Sequence, residues 1–560
     1  MKNKIVNLLK KEVKLEKSEI EKLIEIPPSI EMGDFAFPCF SLSKVLKKSP
    51  NLIAEDLKKK IKLPKEIEKI KVTGSYLNFF VDRKKFAENL IREVLKEKEK
   101  FGSSDLGRGK KTMIEFPSPN TNKPLHIGHL RNMSIGESVS RILEFFGNKI
   151  IRANLYNDRG IHICKSMVAY QKFGKGKNPD KKSDHFVGDF YVKFNQESST
   201  NKKFEEASQE CLRQWEAEDK ETIALWKKMN KWAVDGMKET CKLFGIKHDK
   251  EYYESKLYKK GKEIISEGLK KKIFKKGEGG EIRINLEKEG LGEKILLRSD
   301  GTSVYITQDL YLAKLKDDEF KLNGSIYVVG NEQEYHFKVL FSILKKLGFK
   351  FSKNLHHLSY GMVNLPKGKM KSREGKVVDA DDLILEVQKL VKENLESRSK
   401  LSKSELGARS LIIALSAIKY FLLKVDSKKN MLFNPKESIN FEGDTGPYLL
   451  YSYARANSIL EKARSRDKKF KIKNLEQKEI ELVKKLSQFS ESVSNAYKNF
   501  NPSLIANYSF ELAKVFNEFY HLCPVINSEN ESFRLALVKS FKQVLKNSLT
   551  LLGIETLDKM

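Results

Sequence analysis

The chain has 560 residues, 40% hydrophobic and 32% charged, a composition that excludes a disordered or membrane-embedded protein and predicts several domains rather than one core. Lys and Arg number 106 against 75 Asp and Glu, and the resulting +31 suits a polyanionic partner such as RNA, DNA or an anionic membrane surface, although lysine-biased codon usage would give the same excess. The five cysteines, Cys39, Cys164, Cys211, Cys241 and Cys523, show no CxxC spacing, so neither a structural metal nor a disulfide framework is expected. The longest apolar run, Leu411–Leu423, is interrupted by Lys419 and is too short for a bilayer, and the N-terminal MKNKIVNLLKKEVKLEK lacks the apolar stretch of a signal peptide. A cytoplasmic protein without membrane attachment is expected.

From the N-terminus, KIVNLLKKEVKL has the periodicity of an amphipathic helix and YLNFFV (Tyr76–Val81) that of a short strand, before a turn at Gly102-Ser103-Ser104. KTMIEF (Lys111–Phe116) predicts a strand running into the polar loop SPNTNKP, with a helix from His126 onward. This strand, loop and helix form the unit of nucleotide-binding α/β folds. Residues 174–293 are charged and irregular, with helical patterns around Glu205–Phe244, and suggest an insertion. KILLRS, SVYIT and SIYVVG then predict further strands of a mainly parallel sheet. Beyond Asp381, periodicity such as that of Ser410–Val425 and Ser532–Leu552 predicts a helical bundle. The divisions expected are 1–105, 106–380 with the insertion, and 381–560.

The sharpest motif is Ser118-Pro-Asn-Thr-Asn-Lys-Pro-Leu-His-Ile-Gly-His129. His126 and His129 flank Gly128 at a helix mouth, where unpaired N–H groups and the positive dipole end suit phosphate, and the imidazoles can donate to phosphate oxygens as charge develops. Taken alone, such a pair is more often a surface or metal-ligating site than a catalytic one. Asn120 and Lys123 add donors on the same loop, and Glu115 stands near the carboxyl edge of the strand, where open α/β sheets bind ligands. A second motif, Gly361-Met362-Val363 followed by Lys369-Met370-Lys371-Ser372-Arg373, is a cationic loop suited to a leaving pyrophosphate, or on its own a solvated lysine loop.

The paired HIGH-like and KMSKS-like motifs resemble those of the class I aminoacyl-tRNA synthetases, and the surrounding text resembles the arginyl family along nearly the whole chain. GDFAFPCF and GSYLNFF are similar to that family's extra N-terminal domain, NLYNDRGIHICKSM, SDHFVGDFYVKF and LRSDGTSVYITQDL to its catalytic domain, and DTGPYLLYSYAR with the LLGIETLDKM ending to its anticodon-binding domain. The resemblance implies a Rossmann-like parallel-sheet catalytic domain carrying an insertion, an N-terminal α/β RNA-binding domain and a C-terminal all-α anticodon-binding bundle.

It further implies ligation of L-arginine to tRNA(Arg) through arginyl-adenylate, with ATP and Mg²⁺, by a monomer. Lys123, His126, Gly128 and His129 would hold ATP together with Gly361, Met362, Val363, Lys369, Met370, Ser372 and Arg373. Lys123, His126, His129, Lys369 and Lys371 would be the catalytic set. Ser372 stands where the family's second loop lysine is usual, so Lys123 is expected to supply much of the missing stabilisation, assisted by Lys369, Lys371 or Arg373. Arginine would be held by Glu115, Ser118, Asn120, Tyr305, Asp309 and Gln333, with Asp309 accepting the guanidinium fork, Tyr305 covering it, and Glu115 or Asn120 taking the α-amino group. The tRNA would meet Tyr76, Asn78 and Phe80 at its elbow and Tyr448, Tyr451, Arg455, Tyr520 and Met560 at its anticodon. The competing readings are another HxGH enzyme of the same superfamily and a non-catalytic RNA-binding relative.

Overall fold

Alternation of apolar residues drives the N-terminal chain into an antiparallel sheet of β1 (Phe35–Pro38), β2 (Ile67–Thr73) and β3 (Tyr76–Val81), in the order β1-β3-β2. Leu77 and Phe79 of β3 join Ile5 and Leu9 of the helix Lys2–Glu12, and Ile53 and Leu57 of the helix Pro50–Lys60, in one core. The opposite face carries Tyr76, Asn78 and Phe80. A computed structural model describes residues 1–64, 66–300, 304–364, 378–397, 401–463 and 470–560. They form two compact units, one of Met1–Lys98 with Ile459–Ser487 and Val515–Phe541, the other of Glu99–Ser458 with Gln488–Lys514 and Lys542–Met560.

The second unit is built on five parallel strands: β4 (Lys111–Glu115), β5 (Lys149–Tyr156), β6 (Lys250–Tyr253) and, after a small antiparallel sheet of β7 (Lys275–Lys276), β8 (Ile282–Asn285) and β9 (Glu293–Leu297), β10 (Gly324–Gly330) and β11 (Leu355–Tyr360). Their order β6-β5-β4-β10-β11 reverses direction between β4 and β10, and in such sheets ligands bind beyond the carboxyl ends at that switch. Two expectations are corrected here. KILLRS lies in β9 of the small antiparallel sheet, and the described part of SVYIT leads into the helix Tyr305–Phe320. The β-branched run has strand propensity, but Leu310 and Ala313 continue it at helical spacing into a core with Ile264, Ile284 and Leu340, and that burial outweighs propensity. The helical patterns expected around Glu205–Phe244 are the helices Lys203–Glu216 and Lys220–Leu243, while the rest of that stretch, expected to be irregular, also holds the helix Ser183–Ser198 and β6 of the main sheet.

From Ala380 onward the described chain is almost wholly helical, interrupted by the two-residue strand β13 (Met431–Leu432), which pairs in parallel with β12 (Val363–Asn364). The helix Lys403–Lys424 is long and apolar enough to cross a membrane by length and composition, yet half of that stretch is buried in the fold. It packs against the helices Ala380–Glu396 and Ile127–Phe145.

Candidate active site

The loop after β4 delivers His126 as the N-cap of the helix Ile127–Phe145. Its Nδ1 accepts the Gly128 N–H at 3.1 Å, and the His126 N–H donates to Nδ1 of His129 at 3.1 Å, forming a reciprocal cap built from two imidazoles. Burial, reinforced by the Lys123 cation, pushes His126 down to about 4, while burial and both neighbours hold His129 well below the ordinary imidazole range. Both rings are therefore neutral near pH 7. A neutral ring whose Nδ1 accepts must carry its proton on Nε2, so each presents one Nε2–H donor. The unpaired helix N–H groups expected from the sequence are not available: those of His126 and Gly128 are capped by the rings, Ile127 N–H donates to Val378 O at 3.0 Å, and His129 N–H to His126 O at 2.8 Å. The imidazoles, not the backbone, are the donors at this helix mouth. Gly128 is required by the same geometry, because a Cβ there would stand 2.9 Å from His126 Cε1.

Lys123, half-buried, makes no ion pair or hydrogen bond with any described residue, and its charge acts on both imidazoles. Its loop is braced by the helix Ser183–Ser198, where Gly188 lies so close that a Cβ would meet Pro124 Cδ at 2.7 Å. On the same loop Ser118 holds φ of +54°, a region costly to a residue with a side chain; its N–H donates to Asn154 Oδ1 at 3.0 Å, and its buried Oγ has no partner among the described residues. Asn120 is exposed beside it.

Glu115 ends β4 opposite Tyr327 of β10, and both are buried. The Glu115 carboxylate is already engaged by Lys316, itself buried and 4.6 Å from the Tyr327 ring. Tyr305 opens its helix with 79% of its surface exposed, available to cover a ligand, and Asp309 stands one turn further on. Asp309 accepts from Nε2–H of His336 at 2.7 Å, which raises the His336 pKa. That bond joins the start of the helix Glu334–Lys346, whose N-cap is the exposed Gln333, to the start of the Tyr305 helix. Three participants escaped the sequence reading: Lys316, His336 and Glu254. The Glu254 carboxylate follows β6 and hydrogen-bonds to no described residue, and burial raises it to about 7, with Arg159 opposing and Asp158 and Asp309 adding to the shift. The only signal for it in sequence was an acidic residue directly after a strand-like run.

Gly361 is buried and Met362 exposed just beyond β11, and Val363 begins β12. Lys369, Met370, Lys371, Ser372 and Arg373 lie outside the described residues. Past them, Val378 and Ala380 are bonded to Ile127 and Leu125, which ties that part of the chain to the histidine helix. The side chains of Asp184, His185 and Asp381 come close enough to share a cation, and Lys182 Nζ lies 2.8 Å from Asp184 and 2.9 Å from Asp381.

The expected RNA contacts are only partly accessible. Asn78 is 3% and Phe80 9% exposed, leaving Tyr76 the more open of the three. Gly33, at φ +116°, lays its backbone on that face, where a Cβ would reach Asn78 Cβ at 3.3 Å, and Lys69 covers the Phe80 ring at 4.9 Å. A common face, correctly expected from strand alternation, is thus largely covered. Tyr451 is exposed, with the Arg455 guanidinium 4.7 Å over its ring, and Tyr448 packs 5.7 Å from Phe510. Tyr520 is exposed as well, and Met560 is half-buried.

Residues 90–434 match the family described as "tRNA synthetases class I (R), catalytic domain", 449–560 the "DALR anticodon binding domain" and 1–81 the "Arginyl tRNA synthetase N terminal domain". The chain is 49% identical to the arginine–tRNA ligase of Treponema denticola over 96% of this chain and 94% of that one. It is 45% identical to that of Borrelia duttonii, over 100% and 99%. The solved arginyl-tRNA synthetase of Thermus thermophilus superposes with a TM-score of 0.84 at 25% identity, covering 96% of each chain. A doubly wound sheet, a reciprocal histidine cap at its switch point and these matches along the full length together place the chain in the arginyl-tRNA synthetase family of class I.

Proposed function

We propose that this chain is a cytoplasmic, monomeric arginine–tRNA ligase. The observation that carries the reading is one sheet bearing two kinds of group beyond its strand ends: Lys123 with two Nε2–H imidazoles after β4, and the acidic pair of Glu254, after β6, and Asp309, whose charges act on each other. Cationic and neutral donors suit the triphosphate; acidic groups beside the exposed Tyr305 ring suit a guanidinium. ATP enters as its Mg²⁺ complex, and the metal neutralises phosphate charge.

The arginine carboxylate attacks the α-phosphorus, an acyl–phosphate bond forms, and the α–β bridge breaks to release pyrophosphate. Lys123 and the imidazoles take up the charge that grows on the departing oxygens, assisted by a loop cation, Lys369, Lys371 or Arg373. The ribose 2′-hydroxyl of the terminal adenosine of tRNA(Arg) then attacks the arginyl carbonyl, and AMP leaves. Because Lys316 already engages Glu115, the α-amino group is taken by the second Glu115 oxygen together with Asn120 and the unpartnered Ser118 Oγ. Tyr76 with residues 1–105 meets the tRNA elbow. Tyr448, Tyr451, Arg455, Tyr520 and Met560, within 381–560, meet the anticodon.

The test is ATP–pyrophosphate exchange with each amino acid, with and without tRNA(Arg). Exchange driven by arginine in the presence of that tRNA is expected. None with arginine under either condition refutes the reading.

A further inference from the structure

Two residues beyond His129 on the same helix, Arg131 is fully buried and forms no ion pair with any described residue, the charge of the Asp426 carboxylate acting on it without direct contact. Its guanidinium instead serves five backbone carbonyls: Nη1 donates to Gly361 O at 2.7 Å and to Met362 O at 3.5 Å, and Nη2 to Lys429 O at 2.9 Å, Ser427 O at 3.2 Å and Asp426 O at 3.3 Å. The same short segment is also bonded directly to the loop that Arg131 holds. Gly361 N–H donates to Ser427 O at 2.8 Å, Met362 N–H to Asn430 Oδ1 at 2.8 Å, and Met431 N–H to Met362 O at 3.0 Å. Gly361 is so close to this loop that a Cβ would stand 2.7 Å from Asn430 N. Asn132, the next residue on the helix, donates to Val328 O at 2.6 Å and bonds Tyr360 OH at 3.2 Å, at the carboxyl ends of β10 and β11.

We infer that Arg131 is a positioning residue for ATP, fixing the Gly361–Val363 backbone at a set distance from the His126 and His129 donors so that one nucleotide can span both.

This rests on the proposed function, which places phosphates at the imidazoles, and on the expectation that Gly361, Met362 and Val363 hold ATP as well. The helix is a rigid spacer: at 1.5 Å rise per residue, Arg131 lies about 3 Å along the axis from His129. A planar fork holding several carbonyls fixes direction as well as distance, which a single ammonium cannot reproduce. None of the groups assigned to the guanidinium, namely Tyr305, Asp309, Glu254 and Gln333, bonds Arg131, so the two substrates should respond differently.

Arg131→Lys and Asn430→Ala separate the possibilities; the Asn430 side chain is exposed and accepts the Met362 N–H, so its loss loosens the same segment without opening the core. The ATP Kd is measured by equilibrium dialysis with labelled ATP, and KM for ATP and for arginine by pyrophosphate exchange with tRNA present. Both variants are expected to weaken ATP at least tenfold by dialysis and by KM, with arginine KM within twofold of wild type. ATP affinity unchanged in folded Asn430→Ala, or ATP and arginine weakened in parallel, overturns the inference even if Arg131→Lys fails to fold. Dialysis reports on ATP without the chemistry, so wild-type protein that binds ATP but shows no arginine-dependent exchange refutes the proposed function alone.

Discussion

Replacing Lys123 with Ala removes a cation that no described acidic residue compensates and that faces both imidazoles. At about 4 Å from a phosphate oxygen and an effective dielectric constant of about 20, one such charge is worth about 4 kcal/mol, a ceiling near a thousandfold in rate. Lys123 is only half-buried, and water entering the vacated space would recover part of that; a hydrogen bond to a charged group nets about 1.5–3 kcal/mol, or roughly ten- to 150-fold. The ammonium meets the triphosphate before reaction too, so only the part that strengthens as charge moves onto pyrophosphate appears in the rate. The expected result in rapid-quench adenylate formation at saturating tRNA and ATP is a fall of about a hundredfold in the activation step, with ATP KM changed by no more than about threefold. A second readout is independent of turnover: without the Lys123 charge, His126 and His129 titrate at higher pH by NMR. An unchanged rate, or a rise in ATP KM at constant rate, would refute the assignment.

Lys316→Met leaves the buried Glu115 carboxylate without its partner, and breaking a buried ion pair costs about 3–5 kcal/mol; urea unfolding that shows a loss below about 1 kcal/mol would mean the pair is not buried as described. Glu254, raised to about 7 by burial, binds a guanidinium only when ionised, so arginine KM should fall as pH rises from about 6 to 8 and then level off, while Glu254→Gln should weaken arginine and remove that slope. Without arginine the sign for stability is opposite, because the folded protein keeps a proton that the unfolded chain releases above its ordinary pKa, so folding weakens as pH rises toward 7. An arginine KM flat across this range in the wild type would exclude Glu254 from the pocket.

Local chemistry determined much of this protein. Lys111–Glu115 is a short run buried from Thr112 onward, as a central parallel strand must be, the Pro-punctuated loop has to end it, and His126 stands where a helix begins, so the central unit was legible within a window of twenty residues. Periodicity likewise placed Tyr76–Val81 as a strand and the C-terminal third as helices. Short windows failed where tertiary burial overrode propensity, as at Tyr305, which starts a helix, and at β9, which joins a separate sheet. They could not show that β3 has both faces covered, because the cover on the Asn78 face is supplied by the turn at Gly33, far away in sequence. Nor could they assign partners: Lys316 meets Glu115 across 201 positions, Arg131 meets Gly361 across 230, and His336 meets Asp309 across 27. Charged residues look alike along a chain dense in lysine and glutamate. What separates a solvated one from a buried pair or a clasp on the backbone is the loss of water around it, and only the packed fold decides where that happens.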